Sequence, residues 1–206
     1  YYSTDNGATC TESLYSHPGV LAFDGTADTV VDISTQLSSV QGNNPRTIMF
    51  TVKTSTLARQ KPISTGTAAS GQAFTIRLAA DGSVGVQGHY LNYFPTTTFV
   101  ADGQWHHVKV TWDLVALNIY IDGILKASTT TLSGGATAFA TFGNSNFLGR
   151  SNEDAVLDYF TGQLKEISFW DVLVGDCSPG FTSINSGLTC TVCGTGTYKT
   201  ASGNGA

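Results

Sequence analysis

The chain has 206 residues, 41% of them hydrophobic and 11% aromatic, enough for one sandwich-sized core or two small domains. Only 12% are charged, and 10 Lys plus Arg against 15 Asp plus Glu give a net charge of -5, which excludes the dense cationic field of a nucleic-acid surface. No apolar run of about 18 residues exists to span a bilayer as a helix, and no leader-like segment opens the chain, so it reads as a mature or internal piece.

Gly, Ser, Thr and Asn replace the missing charge, with 23 glycines, a composition that favours turns and strands over helices. The first twelve residues contain Cys10 in a Tyr2-Ser3-Thr4-Asp5-Asn6-Gly7-Ala8-Thr9-Cys10 run. From Gly19 to Asp171 short alternating runs recur at 20–24, 29–33, 47–53, 73–79, 83–87, 106–112, 116–121, 146–150 and 164–170, the period of half-buried strands. Val108, Val110 and Trp112 share one face while His107, Lys109 and Thr111 share the other. Leu117, Ile119 and Ile121 repeat the pattern. Asp81-Gly82 and Asp122-Gly123 lie between such runs and predict hairpin tips, and Asp102-Gly103 predicts a turn before Trp105. No sustained 3.6-residue stripe appears, so the expected class is all-β, a two-sheet antiparallel jelly-roll sandwich over residues 13–175.

The stretch Asp102-Gly103-Gln104-Trp105-His106-His107-Val108, followed by Val110-Thr111-Trp112 and Ile119-Tyr120-Ile121-Asp122-Gly123, resembles the signature of laminin-G-like and pentraxin-like concanavalin A domains. Leu21-Ala22-Phe23-Asp24-Gly25 resembles their first core strand. Phe147-Leu148-Gly149-Arg150 and Phe160-Thr161-Gly162-Gln163-Leu164 resemble their closing strands. The resemblance implies the fold and leaves function open, since this fold hosts lectins, hydrolases and spacers.

From Cys177 the character changes. Apolar periodicity gives way to cysteine spacing, which sets a boundary near Gly175. The start and end of the chain echo each other, as two partial Cys-rich repeats of an array would, or by chance between two Gly/Ser/Thr-rich stretches. Residues 1–12 then form the tail of a preceding repeat and 176–206 the start of another. Cys190, Cys193, Gly196, Thr197 and Tyr198 resemble EGF-like or ephrin-receptor-like extracellular repeats. Cys190-x-x-Cys193 lacks the second pair of a zinc ribbon and the βαβ setting of a redox motif, which favours structural disulfides. Either Cys177 pairs with Cys190 while Cys10 and Cys193 pair outside this chain segment, or Cys10 pairs with Cys177.

Candidate chemistry is sparse. His106 and His107 are adjacent on a strand and point to opposite faces, so they do not form one small site. Glu12, Glu153 and Glu166 begin no E-x-D-x-E groove pattern, and no G-x-S-x-G elbow occurs, so no catalytic residue is expected. The family resemblance implies a calcium site at the rim, with hard oxygen ligands from Asp24, Asp28, Asn152, Glu153, Asp154 and Asp158. Lys165 stands where such domains commonly carry an Asp before Glu166. A glycan-stacking face is expected from Tyr90, Asn92, Tyr93 and Phe94. The resulting expectation is a non-catalytic structural or adhesive module of a large extracellular protein, packing against neighbouring modules or copies in a surface fibre, matrix or flagellar-hair-like assembly. The alternative is a calcium-assisted, carbohydrate-binding lectin module.

Overall fold

The computed structural model describes residues 2–3, 10–11, 15–37, 42–67, 69, 72–88, 94–130, 145–152, 158–171, 181–184 and 189–192, with backbone alone for 2–3, 10–11, 181–184 and 189–192. Short strands β1 (Tyr2–Ser3), β2 (Cys10–Thr11), β3 (Tyr15–His17) and β4 (Leu21–Asp24) open the chain. A 3-10 turn at Ala27–Thr29 leads to β5 (Val31–Asp32). Then come β6 (Arg46–Lys53), β7 (Gln60–Gly66), β8 (Ala73–Leu78), β9 (Ser83–Gln87), β10 (Phe94–Phe99), β11 (His106–Trp112), β12 (Leu117–Ile121) and β13 (Ile124–Thr129). The last are β14 (Phe147–Leu148), β15 (Thr161–Trp170), β16 (Phe181–Ile184) and β17 (Thr189–Val192).

These strands build the expected sandwich. One sheet has six strands in the order β10-β9-β8-β7-β14-β5, and the other has seven in the order β13-β12-β11-β6-β15-β3, with β4 also pairing β15. Every described pairing is antiparallel. β1 pairs β2 and β16 pairs β17, forming two small separate ladders.

Period-two alternation decides which side chains meet between the layers. Phe50, Val52, Val108, Val110, Trp112 and Ile119 project from the seven-stranded sheet onto Ile63, Phe74, Ile76, Val84, Val86 and Leu148 from the six-stranded one. Phe23 and Phe160 close the packing with ring centroids 5.6 Å apart. Gly149 (φ 89) is required here, because a Cβ would run into the Phe23 ring. At the other end Trp112 Nε1 donates to Asn43 Oδ1 at 3.0 Å. Its strand partner Arg46 caps the core over Phe74 and donates to the carbonyls of Asn44 and Gly42 at 3.2 and 2.6 Å. Burial lowers the Arg46 pKa to about 10, still protonated at neutral pH.

Both Asp-Gly hairpin tips form. Asp122 (φ 52) and Gly123 (φ 78) both take positive φ, as a tight β12–β13 connection requires. Within the two large sheets, β3, β7, β10 and β13 fall outside the alternating runs read from the sequence. β7, Gln60-Lys61-Pro62-Ile63-Ser64-Thr65-Gly66, is buried along its whole length yet contributes only Ile63 to the apolar core, so its sequence shows no apolar alternation. Pro62, which has no ladder donor, sits in a bulge between Gln60 and Ile63. β10 is proline-interrupted, and β13 is an exposed edge strand. The outward side of β11 is also less polar in setting than alternation suggests, since Lys109 and Thr111 are buried there, with the Lys109 ammonium 4.1 Å from the Tyr120 ring centroid.

The histidine pair serves the fold. His106 Nδ1 lies 2.8 Å from Asp122 Oδ2 and its Nε2 lies 3.1 Å from Asp102 Oδ1. This ties the turn before β11 to the β12–β13 tip. Asp122 Oδ1 accepts the His107 amide at 2.9 Å, and Asp102 Oδ1 accepts that of Gln104 at 2.8 Å. Two carboxylates on both ring nitrogens demand the doubly protonated imidazolium. Burial lowers the His106 pKa, but the hydrogen bonds and charges of Asp122 and Asp102 outweigh it, so the net shift is upward. The Asp102 pKa is lowered, chiefly by the Gln104 amide.

Truncating Trp112 to Ala is expected to cost about 3–5 kcal/mol, read as a large drop in thermal midpoint. An unchanged midpoint contradicts the β11 register. The His106 clamp stabilises the fold most below the usual histidine value of 6.5 and loses its contribution as pH rises through the elevated folded-state pKa. Asp102 contributes above the usual 3.8 and weakens below it. The midpoint advantage of wild type over His106→Asn is therefore expected to be larger near pH 5.5 than near pH 8. An advantage that grows with pH contradicts the clamp.

Candidate functional site

Alternation that sends Phe74, Ile76 and Leu78 into the core turns Thr75 and Arg77 to the opposite face of the six-stranded sheet. Register extends that face across five strands, with Asp32 opposite Phe147, Phe147 opposite Ser64, Ser64 opposite Thr75, and Thr75 opposite Gln87. Arg77 pairs across to Gly85, which has no side chain to fill the space beside it. The guanidinium donates from Nη1 to Gln87 Oε1 at 3.5 Å.

A second guanidinium enters from the end of β14. Gly149 N donates to Pro62 O at 2.8 Å and Gly149 O accepts Phe160 N at 2.9 Å, pinning both ends of the following segment. Arg150 then stacks on Phe147, with Cζ 3.9 Å from the ring centroid, and its Nε is buried with no protein acceptor. Only β7 separates β14 from β8, a gap of about 10 Å at ordinary strand spacing, and Ser64 and Thr75 lie between the two arginine-bearing segments on that face.

Buried polar groups in this region lack protein partners. Ser64 is fully buried and its Oγ makes no hydrogen bond. Asn152 donates from Nδ2 to the carbonyls of Thr65 and Gly66 at 3.2 and 2.6 Å, which leaves its buried Oδ1 unpaired. Asn146 Oδ1 accepts the Gly66 amide at 2.9 Å, so two asparagines fasten the end of β7. Buried groups left unpaired in this way are costly. The face thus offers two cationic forks, an amide, hydroxyls and an aromatic ring. It is chemistry for holding an oxygen-rich ligand. Glu166, the one described glutamate, lies on the other sheet and accepts the Thr51 hydroxyl at 2.7 Å.

Of the residues singled out from the sequence, Asn152 belongs to this face and the other described ones fall elsewhere. Asp24 Oδ1 accepts Thr26 Oγ1, Thr26 N and Thr29 Oγ1 at 2.7, 2.9 and 3.0 Å, and these bonds, the Thr26 hydroxyl first, lower its pKa. It organises the 3-10 turn on which exposed Asp28 sits. Asp158 ion-pairs with Arg59 at 2.9 Å and with buried Lys61 at 3.8 Å, at the opposite end of β7 from the one Asn152 fastens. Glu153 and Asp154 lie outside the described residues. Among the described residues no three His, Cys, Asp or Glu side chains gather as a metal ion requires. Tyr90, Asn92 and Tyr93 also lie outside the described residues, while Phe94 opens β10 and packs against the core. Cys10 and Cys190 fall on β2 and β17, and Cys177 and Cys193 lie outside. Arg77, Arg150, Ser64 and Gln87 were not expected. The signal available for Arg77 was a single charge inside the apolar alternation Phe74-Thr75-Ile76-Arg77-Leu78.

No curated protein sequence matches the chain closely. Among solved structures it is similar to the CBM40 module of a Ruminococcus gnavus IT-sialidase, at 20% identity and TM-score 0.64, over 78% of this chain and 93% of that one. The same module has been described bound to α2,3- and α2,6-sialyllactose. A leech intramolecular trans-sialidase matches at 14% identity and TM-score 0.60, over 77% of this chain and 26% of that one. A SAP-like pentraxin from Limulus polyphemus matches at 16% identity and TM-score 0.51, over 79% of each chain. At these identities the likeness is one of fold. The laminin G-like family model described as "Concanavalin A-like lectin/glucanases superfamily" matches residues 24–176, and the chain therefore belongs to that superfamily.

Proposed function

We propose that this domain is a non-catalytic carbohydrate-binding module for an acidic sugar, held on the outer face of the six-stranded sheet. The observation that carries the reading is two arginines, Arg77 and Arg150, set on either side of β7, where buried Ser64 Oγ and the Oδ1 of its anchor Asn152 lack protein partners. A guanidinium is planar and offers parallel donors that match a carboxylate, while hydroxyl and amide groups suit sugar hydroxyls. Phe147 supplies an apolar surface that also holds Arg150 in place. The sialyllactose named for the Ruminococcus gnavus module carries the same chemistry, a carboxylate on a hydroxylated ring. Recognition of this kind needs no metal. Of the acids that the family resemblance implies as calcium ligands, Asp24 and Asp158 already serve intrachain donors and cations. The module is assigned to residues 13–175 of an extracellular protein, with Cys-rich segments on either side.

The structural or adhesive tile is the second reading. It is favoured by Ile124 and Leu125, which are 59% and 49% exposed on edge strand β13, an apolar strip of the sort that marks contact surfaces.

Calorimetric titration with α2,3-sialyllactose is expected to show saturable binding, with lactose at least about tenfold weaker. Arg77→Ala and Arg150→Ala are each expected to weaken binding about tenfold or more, the scale of losing one charge-assisted contact, while the thermal midpoint stays close to wild type. Repeating the titration in EDTA is expected to give the same affinity. Equal affinity for lactose and sialyllactose, or full binding by both variants, contradicts the reading.

A further inference from the structure

We propose a second, separate ligand site on the opposite side of the sandwich, centred on Trp105, that takes an anionic glycan chain. On the seven-stranded sheet Val52 and Leu164 point into the core, so Lys53 on β6 and Gln163 and Lys165 on β15 point outward. Register places Gln163 opposite Lys53 and Lys165 opposite Thr51. Both ammonium groups converge on one indole. Lys165 Nζ lies 4.8 Å and Lys53 Nζ 5.9 Å from the Trp105 ring centroid, and Trp105 is only partly buried.

The electrostatics of this cluster are unusual for the chain. The protein carries a net charge of -5, yet among the described residues no carboxylate forms an ion pair with Lys53. Lys165 has only Glu166, at 3.8 Å, and that carboxylate already accepts the Thr51 hydroxyl at 2.7 Å through its other oxygen. Glu166 adopts φ 53 in a bulge between Lys165 and Ser168, a backbone state that an ordinary strand residue avoids. Two ammonium groups with one partial counter-charge, held together by an aromatic face, form a local positive field that an anion neutralises.

The same geometry selects the ligand class. β6 lies between β11 and β15, and β15 lies between β6 and the β3 and β4 strands, so the ladders occupy their backbone groups. An acidic peptide finds no free edge to extend here. A sugar ring needs none. It takes the accessible part of Trp105, the amide of Gln163 and, for its sulfate or carboxylate, the two ammonium groups held at the indole. The site is independent of the arginine face, which belongs to the other sheet.

The test is a fluorescence and calorimetric titration of the intact chain with chondroitin sulfate oligosaccharide, hyaluronan and neutral dextran. Trp112 and Trp170 are buried, so the partly buried Trp105 is the most accessible reporter among the three tryptophans. Chondroitin sulfate is expected to change tryptophan emission, dextran is not, and the affinity is expected to fall steeply between about 0.05 and 0.5 M salt. Binding of hyaluronan as well assigns carboxylate as sufficient, whereas binding of the sulfated chain alone assigns sulfate; either supports the site. The double variant Lys53→Gln/Lys165→Gln is expected to bind at least about tenfold more weakly with an unchanged circular dichroism spectrum. Trp105→Phe is expected to abolish the emission change while binding remains measurable by calorimetry. Arg77→Ala is expected to leave all of this intact, so loss of sialyllactose binding alone does not count against the second site. Undiminished binding by the folded lysine variant, no binding by either anionic chain at low salt, or equally tight binding of polyglutamate overturns the proposal.

Discussion

One geometric constraint organises this protein. Each strand has two faces, and the inner face of every central strand is committed to the shared core. Phe74, Ile76 and Leu78 on β8, with Val84 and Val86 on β9, leave no freedom in where Thr75, Arg77 and Gln87 point. A slip of one residue in any of these ladders exchanges core and surface completely. The chemistry available on the outside is therefore a by-product of how the inside is sealed, and the arginine face exists because the apolar register is fixed.

The seal is demanding at its ends. Arg46 lies across Phe74 with its guanidinium satisfied by carbonyls of the preceding segment, and Gly149 passes close enough to Phe23 that no side chain fits. Gln60 bridges the layers, its Oε1 accepting the Thr161 amide at 2.7 Å and its Nε2 donating to Thr56 O at 2.9 Å. Such bonds let a strand as polar as β7 sit at the centre of the fold. They also fix the turn into Arg150, since Gly149 is hydrogen-bonded to Pro62 on that strand.

The strands that announce themselves in the sequence are those whose residue types alternate between apolar and polar, whether or not the polar side ends up exposed. β11 and β12 read clearly because Val108, Val110 and Trp112, then Leu117, Ile119 and Ile121, alternate with polar neighbours, and the Asp-Gly tips lie where positive φ is needed. β7 is silent because Ile63 is its one core aliphatic and its other residues are polar, Pro or Gly, several of them satisfied by residues distant in sequence, such as Thr65 Oγ1 on Phe74 O. The arginine face was illegible for a related reason. Arg77 and Arg150 come from segments far apart in the chain, and only the strand order β8-β7-β14 brings them to one sheet. Acidic density in the sequence, by contrast, pointed to residues that the fold occupies internally. Asp24 caps a turn, and Asp158 sits between Arg59 and Lys61. Local charge says little about a site until its partners across the sheets are known.

The central claim is that the outer face of the six-stranded sheet is the ligand surface. Mapping amide chemical-shift changes during titration with α2,3-sialyllactose tests it directly. The account predicts perturbations concentrated on Ser64, Thr75, Arg77, Gln87 and Arg150, with β11 and β12 unmoved. Shifts gathered on the β12–β13 tip or around the Asp24 turn, with those five residues silent, contradict it.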